Sequence, residues 1–457
     1  MKDLTRGNVP LQLVLFSLPM LLGNVFQQFY NMVDSWVVGQ FVGTIALAAV
    51  GTSFPILFLM IALVMGFGMG ANVLIAQYYG AKNFTKVRAV IETTYLVLFW
   101  MSLVLTVLGL AAARPILLLL RVPAEVQESA LLYLRIIFGG LFFTFAYNGV
   151  AAILRGLGDS MTPLYMLIAS TLINVALDLF SVLVLHMGVA GVALATVIAQ
   201  AISVAGSLWY LNRNHELLAT DFRHLTFDRE IFLLSLKIGL PSGIQQALVA
   251  MGMMFMSAVV NGFGPVVMAG FAAASRIDSF IGMPAMNISM ALSTFTGQNL
   301  GAGKSHRVHE GYRVALGIAE GITVVLSAIL LLYAEPLVGL FTTDGAVIAT
   351  GAQYLRIIAP FYLVFTLMFI TNGVIRGSGE AMVPMVSTLC AMWLVRVPAA
   401  VLFSTVWKVV GIWWAMPTGW FVGAAIALVY YFSGKWKQKV VVHPSLREEA
   451  VEPEVAS

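Results

Sequence analysis

Sulfur chemistry, charge and polar surface are all scarce in this chain. Cys390 is the sole cysteine among 457 residues, so no intrachain disulfide and no thiolate metal cluster can form. A disulfide-stapled secreted fold is thereby excluded. Charged residues make up 10% of the sequence and hydrophobic ones 60%, where soluble domains carry about 25% and about 45–50%. So little polarity cannot cover a water-facing globule. The same figures exclude intrinsic disorder and a coiled coil. The net charge is +4, and the basic residues stand singly between apolar runs, unlike the one-faced basic patch of a nucleic-acid binder. No P-loop G-x-x-x-x-G-K-[ST] occurs, so ATP is not expected as an energy source. His306-x-x-His309-Glu310 has the wrong order for the zinc motif H-E-x-x-H; it reads as a solvated helix start in a basic loop. No catalytic residues are assigned, and the chain does not read as an enzyme.

What the sequence has in abundance is long apolar runs. A bilayer core needs about 20 apolar residues per helix. Twelve such runs occur: 10–33, 44–74, 89–112, 129–151, 163–185, 189–211, 236–260, 267–297, 314–334, 351–373, 384–407 and 411–434. They are continuous, not alternating, which points to helices and away from a barrel. The expected fold is an all-α membrane protein with two six-helix lobes. The N-lobe covers 1–211 (spans 1–6), a cytoplasmic linker 212–235, the C-lobe 236–434 (spans 7–12), and a disordered cytoplasmic tail 435–457. The first run is too long for a signal-peptide core and is read as a retained span.

Orientation follows from the positive-inside rule. With the N-terminus inside, eighteen of the 25 Lys and Arg residues fall in inner segments. The other seven lie in outer segments or within spans. Both termini are therefore expected to be cytoplasmic.

The two halves repeat. Tyr133-Leu-Arg-Ile-Ile137 returns as Tyr354-Leu-Arg-Ile-Ile358, an offset of 221 residues. Arg155-Gly-Leu-Gly-Asp159…Pro163 returns as Arg376-Gly-Ser-Gly-Glu380…Pro384, and Gly80-Ala81-Lys82 as Gly301-Ala302-Gly303, at the same offset. Leu18-Pro19 returns as Leu240-Pro241, at 222. A near-constant offset marks a duplication. Six spans per half is even, so the repeats are parallel, related by a pseudo-two-fold along the membrane normal. Transporters built this way bind substrate near the midplane and expose it alternately to each side. The repeat also disposes of a false signal. Gly156-x-Gly158-Asp159 matches an intramembrane protease motif, but its second copy reads Gly377-x-Gly379-Glu380, so it is taken as an inner turn.

Several motifs carry a family resemblance. They are Tyr30-Asn31-Met32-Val33-Asp34, Gln77-x-x-Gly80-Ala81, Arg155-Gly-x-Gly-Asp159, Gly297-Gln298-Asn299-Leu300-Gly301-Ala302-Gly303 and Arg376-Gly-x-Gly379. Over residues ~10–435 the chain resembles multidrug and toxic compound extrusion (MATE) transporters, the DinF-like branch most of all. The resemblance implies a multi-pass monomer of the plasma membrane, a bacterial inner membrane in prokaryotes. It further implies export of drug-like, often cationic, small organic compounds in exchange for H+ or Na+, with no cofactor. The alternative within the same superfamily is a flippase or exporter of lipid-linked oligosaccharides or other metabolites. Such a protein would need basic residues along its cavity to meet pyrophosphate, and only Arg276 and Arg396 lie deep.

Charge inside a membrane costs about 2.5–3.5 kcal/mol per residue on insertion scales, so each intramembrane charge needs an explanation. The first half holds Asp34 and Asp178. Asn174 and Asp178 are spaced i, i+4 and share one helix face. At 1.5 Å per residue, Asp178 and Thr196 both sit about 12 Å below the turn joining spans 5 and 6, and Asp34 about 8 Å below its own. Asp34, Asn174, Asp178 and Thr196 can therefore meet. Their oxygens suit a small hard cation, and desolvation favours the neutral form of a carboxylate. H+ and Na+ both remain open, and with Na+ the four are the metal ligands. The resemblance assigns the same four residues to the ion site. At the repeat offset Asp34 meets Met256 and Asp178 meets Ala399, so coupling is expected in one lobe only. The second half has Arg276, Asp278 and Arg396, read as an internal ion pair or triad, or as charges for substrate. Tyr30, Met32, Met253, Met256 and Phe280 complete the candidate substrate contacts, being flexible thioethers and aromatic faces. Glu92 and Glu320 are expected to snorkel to the inner interface.

Cysteines placed between 300 and 306 should resist an impermeant thiol reagent added to intact cells. Labelling there from outside would overturn the orientation.

Overall fold

The computed structural model describes residues 2–214 and 224–442. The remainder of the linker, including Arg223, and the tail from 443 lie outside the described residues. Fifteen α-helices account for nearly all the rest, and no strand occurs among the described residues. In chain order they are α1 Val9–Val37, α2 Thr44–Gly80, α3 Phe84–Leu119, α4 Ala124–Gly139, α5 Leu141–Gly156, α6 Met161–Leu179, α7 Gly188–Asn214 and α8 Arg229–Asn261. Then follow α9 Pro265–Gly301, α10 Ser305–Gly339, α11 Gly345–Ile358, α12 Tyr362–Gly377, α13 Met382–Leu389, α14 Val397–Trp407 and α15 Val409–Phe432. Eleven helical stretches are long and apolar enough to cross a membrane, and α4 with α5, bent by 52°, makes a twelfth. The twelve apolar runs are thus twelve helical spans. Most of the helices run several residues past the apolar runs, where polar residues continue the helix.

Backbone details repeat with the sequence. Gly43 and Gly264, 221 residues apart, both take positive φ where spans 1 and 7 turn into the next helix. Lys82 and Gly303 do so at the ends of α2 and α9. Only the second of these copies has the residue that adopts the left-handed region without steric cost. Gly158 lies in the same region, and Asp159 accepts from the Met161 and Thr162 amides at 3.1 and 3.0 Å. The would-be protease motif is therefore the turn that caps α6.

The chain forms two compact units that do not follow chain order. The first comprises Leu22–Ile75 and Phe84–Gly239; the second comprises Lys2–Leu21, Ala76–Asn83 and Leu240 onward. In the first, Phe67, Leu98, Phe138 and Phe145 are buried in one core, and Val38, Tyr133 and Val189 in another. In the second, Phe271 stacks on Trp413 at 5.6 Å, with Tyr354 edge-on to both. Gly80 and Gly301 meet in this unit. A Cβ on Gly80 would lie 1.9 Å from the Gln298 carbonyl, and one on Gly301 1.9 Å from the Gln77 carbonyl. Only glycine permits so close a crossing of repeat-equivalent helix ends.

Within the second unit the N-terminal segment docks onto the end of α9 and the turn after it. The Leu4 amide donates to Gln298 Oε1 at 3.0 Å, and Lys304 Nζ donates to the Thr5 carbonyl at 2.8 Å. Asp3 loses solvation on burial, but bonds from Thr5 and Lys82 outweigh that and hold its pKa down at about 2. The first part of the expected disordered tail is also docked. Trp436 is fully buried, the Val441 amide donates to Gln77 Oε1 at 2.8 Å, and Lys439 pairs with Glu380 at 3.3 Å. His309 is not solvated as expected. It bonds Tyr431 at 2.9 Å and packs edge-on against Trp436, because the tail covers the start of α10.

Candidate functional site

Asp34 lies in the last turn of α1, and Asp178 in the last turn of α6. A π-helical segment follows each, Val38–Val42 and Phe180–Val184, and the two segments touch. Such wide turns re-aim neighbouring side chains and recur at functional sites. The two carboxyl groups lie near these segments, close enough to interact electrostatically.

Around this pair the other candidates fall into place. The Asn174 amide, oriented to satisfy both its ends, donates to Asp178 Oδ2 at 3.0 Å and accepts from the Thr196 amide at 3.1 Å. Thr196 Oγ1 donates to the Val192 carbonyl at 3.1 Å and bonds the Tyr30 hydroxyl. Asn174 and Asp178 are buried. The structure therefore gathers Asp34, Asn174, Asp178 and Thr196 in one place, and adds Tyr30, which was placed among the substrate contacts. Tyr133 also lies within electrostatic reach of both carboxylates. It was noticed only as a repeat marker.

Two carboxylate oxygens stay open. Oδ1 of Asp34 and Oδ1 of Asp178 are buried without a hydrogen-bond donor. None of the ion pairs among the described residues reaches either group. The donor set is two carboxylates, an amide, a threonine hydroxyl and a phenol. No trio of His, Cys, Asp or Glu side chains exists among the described residues to hold a transition metal. Hard oxygens in this number suit a proton or an alkali cation.

The second unit differs at the corresponding depth. Asp278 of α9 accepts from Tyr354 at 3.3 Å and from Tyr362. Arg396, at the end of the π segment Cys390–Arg396, is buried and electrostatically coupled to it. Its Nη1 lies 3.5 Å from the Met392 sulfur, and its Nε has no partner. Arg276 takes no part. It is exposed and covers the Phe341 ring at 5.8 Å, so the expected Arg276–Asp278–Arg396 triad is an acid held by two tyrosines beside one arginine. Tyr354 stands 221 residues after Tyr133, and each faces the acid of its own unit.

Of the remaining substrate candidates, Met32, Met253 and Phe280 are exposed, while Met256 is fully buried in the core of the second unit and packs there. The two glutamates do not snorkel. Glu92 accepts from Arg88 at 2.8 Å and from the Thr226 amide at 3.0 Å, because the chain before α8 folds over it. Glu320 lies far from the start of α10 at Ser305, and its Oε2 is buried without a partner.

The comparisons agree with this architecture. The family model named MatE matches residues 19–180 and again 241–402, one match per repeat. The probable multidrug resistance protein YpnP of Bacillus subtilis (strain 168) is 32% identical over 95% of this chain and 97% of its own length. The probable multidrug resistance protein YoeA of the same organism is 34% identical over 93% and 94%. A crystal structure of MATE in the straight conformation superposes with a TM-score of 0.88 at 26% identity, covering 95% of this chain and 98% of that one.

Asp278→Asn should lower the thermal stability of the purified protein, by on the order of 3 kcal/mol, because it strands the buried Arg396 charge. Adding Arg396→Met should restore most of the loss. A single variant as stable as the wild type would show that the fold does not depend on this charge.

Proposed function

The chain belongs to the MatE family of multidrug efflux transporters, and on that premise we propose that it is a cation-coupled antiporter. It exports drug-like, often cationic, organic compounds and takes up H+ or Na+ in exchange. The observation that carries this reading is the pair of adjoining carboxylates with two buried, undonated oxygens and no basic partner. Stabilising that pair requires a cation the protein does not itself supply.

The mechanism follows from charge. With no cation bound, Asp34 and Asp178 are an anionic centre that attracts a cationic substrate. Uptake of H+ or Na+ cancels that attraction. A ligand shifts a two-state equilibrium only by its differential affinity for the states, and here the difference is the charge on this pair. Reciprocity requires that substrate and coupling ion weaken each other's binding by the same factor. Asp34 lies one turn before the π segment of span 1, so neutralising it also frees α1 to repack against α6 and α7. The N-terminus and the Lys- and Arg-rich loops are placed on the cytoplasmic side, with the ion entering from outside.

Flux of a labelled cationic dye in proteoliposomes tests the reading. An imposed H+ or Na+ gradient should drive dye movement, and the gradient that does so names the ion. Asp34→Asn and Asp178→Asn should each cut gradient-driven flux at least ten-fold while membrane insertion stays normal. Wild-type flux indifferent to both gradients, or an Asp34→Asn variant as active as wild type, would contradict antiport at this site.

A further inference from the structure

Polar surface continues past the carboxylates. A small cavity, with about 50 Å³ open to water centres, adjoins Tyr30, Asn174 and Thr196. Its further walls include Gln27 of α1, Tyr147 of α5, Ser170 and Thr171 of α6, and Gln200 of α7. At about 10–15 Å³ of such space per water, this is room for a few waters, and the polar side chains of the walls are the partners a buried water needs.

All these residues lie to one side of the ion pair. On α1 the order Asp34, Tyr30, Gln27 runs toward Val9, and on α6 the order Asp178, Asn174, Thr171, Ser170 runs toward Met161. On α7, Thr196 and then Gln200 run toward Asn214. The direction is the same on all three helices, toward the ends that carry the basic loops. The column is also ordered. Thr144 Oγ1 donates to Gln200 Oε1 at 2.6 Å. One turn beyond Gln200, Ser203 is 6% exposed and its Oγ has no hydrogen-bond partner. At the far end Arg155 lies within electrostatic reach of Tyr147.

The duplication supplies an internal control. At the 221-residue offset, Gln27, Tyr147, Ser170, Thr171, Gln200 and Ser203 correspond to Leu248, Met368, Ala391, Met392, Phe421 and Ala424. Moving the register by one residue either way still brings no Ser, Thr, Asn, Gln, Tyr or charged residue opposite any of them. The same helical scaffold is therefore built without polar groups at these positions. Packing does not require them, and a polar side chain in a membrane span carries a desolvation cost.

We propose that this cavity is a binding site for water and the inner leg of the coupling-ion route, through which a hydrated cation or a proton leaves Asp34 and Asp178 for the side of the basic loops. Carboxylate, amide and hydroxyl groups then line the route in turn, and the second unit, lacking counterparts of Asp34 and Asp178 and of the column, carries no such route. The proposal rests on the antiport reading above.

Accessible-thiol labelling tests it in the full-length protein with Cys390→Ala as background. Thr171→Cys and Ser203→Cys should react with an impermeant methanethiosulfonate applied from the side of the basic loops, at least ten times faster than Met392→Cys and Ala424→Cys. Ser203→Cys is nearly isosteric, so its membrane level should match the parent. Gln200→Leu leaves both aspartates in place and should slow gradient-driven dye flux at least ten-fold. Column cysteines as inert as their repeat counterparts, or a Gln200→Leu variant at wild-type rate, would overturn the route. Wild-type flux that follows neither gradient would instead sink the antiport reading, whereas wild-type flux that follows one, with inert column cysteines, would sink this route alone.

Discussion

Two carboxylates share a site inside a membrane-spanning bundle, and among the described residues no arginine or lysine pairs with them. Several other acids among the described residues are answered from within. Asp3 has Thr5 and Lys82, Glu92 has Arg88 and Thr226, and Asp278 has two tyrosines and the field of Arg396. Glu320 also keeps one oxygen without a partner, but no second carboxylate adjoins it. The Asp34–Asp178 pair combines proximity with open oxygens, and two like charges so close raise the cost of leaving the site without a cation. Asn174, Thr196 and Tyr30 lie beside the pair.

The duplication explains how such a site is afforded by an otherwise apolar fold. Both halves build the same six spans, with matching positive-φ turns at Gly43 and Gly264 and a mutual glycine crossing at Gly80 and Gly301. The chemistry has diverged within that scaffold. Tyr133 and Tyr354 are retained, each facing an acid, but the acid sits on α1 and α6 in one unit and on α9 in the other. One unit keeps its acids open; the other closes its acid with hydroxyls. In the proposed mechanism the first unit binds the ion and the second gives support.

Much of this was legible in the sequence, and for a physical reason. Lipid permits few backbone solutions, so apolar run length alone predicts the spans, and helical spacing alone brings Asn174 onto the face of Asp178. Depth counted from the turns puts Asp178 and Thr196 at the same level, with Asp34 a few ångströms from it. What escaped was long-range or irregular. The π segments after Asp34 and Asp178 have no composition signature. Burial of Met256 depends on which face of α8 meets the core, and its neighbours are equally apolar. The docking of Trp436 and His309, and the cover over Glu92, come from segments far away in the chain. A polar tail and a charged helix end look solvated until their partners are known.

Equilibrium binding of a cationic dye to the purified protein, measured across pH and Na+ concentration with proton release followed on binding, bears most directly on the role of the carboxylate pair. If the pair is the shared seat of substrate attraction and ion coupling, a proton-coupled site should lose dye affinity as pH falls and release protons at intermediate pH. A sodium-coupled site should instead lose affinity as Na+ rises, and Asp34→Asn should flatten either dependence. Dye binding that ignores both pH and Na+ in the wild type would contradict the assignment.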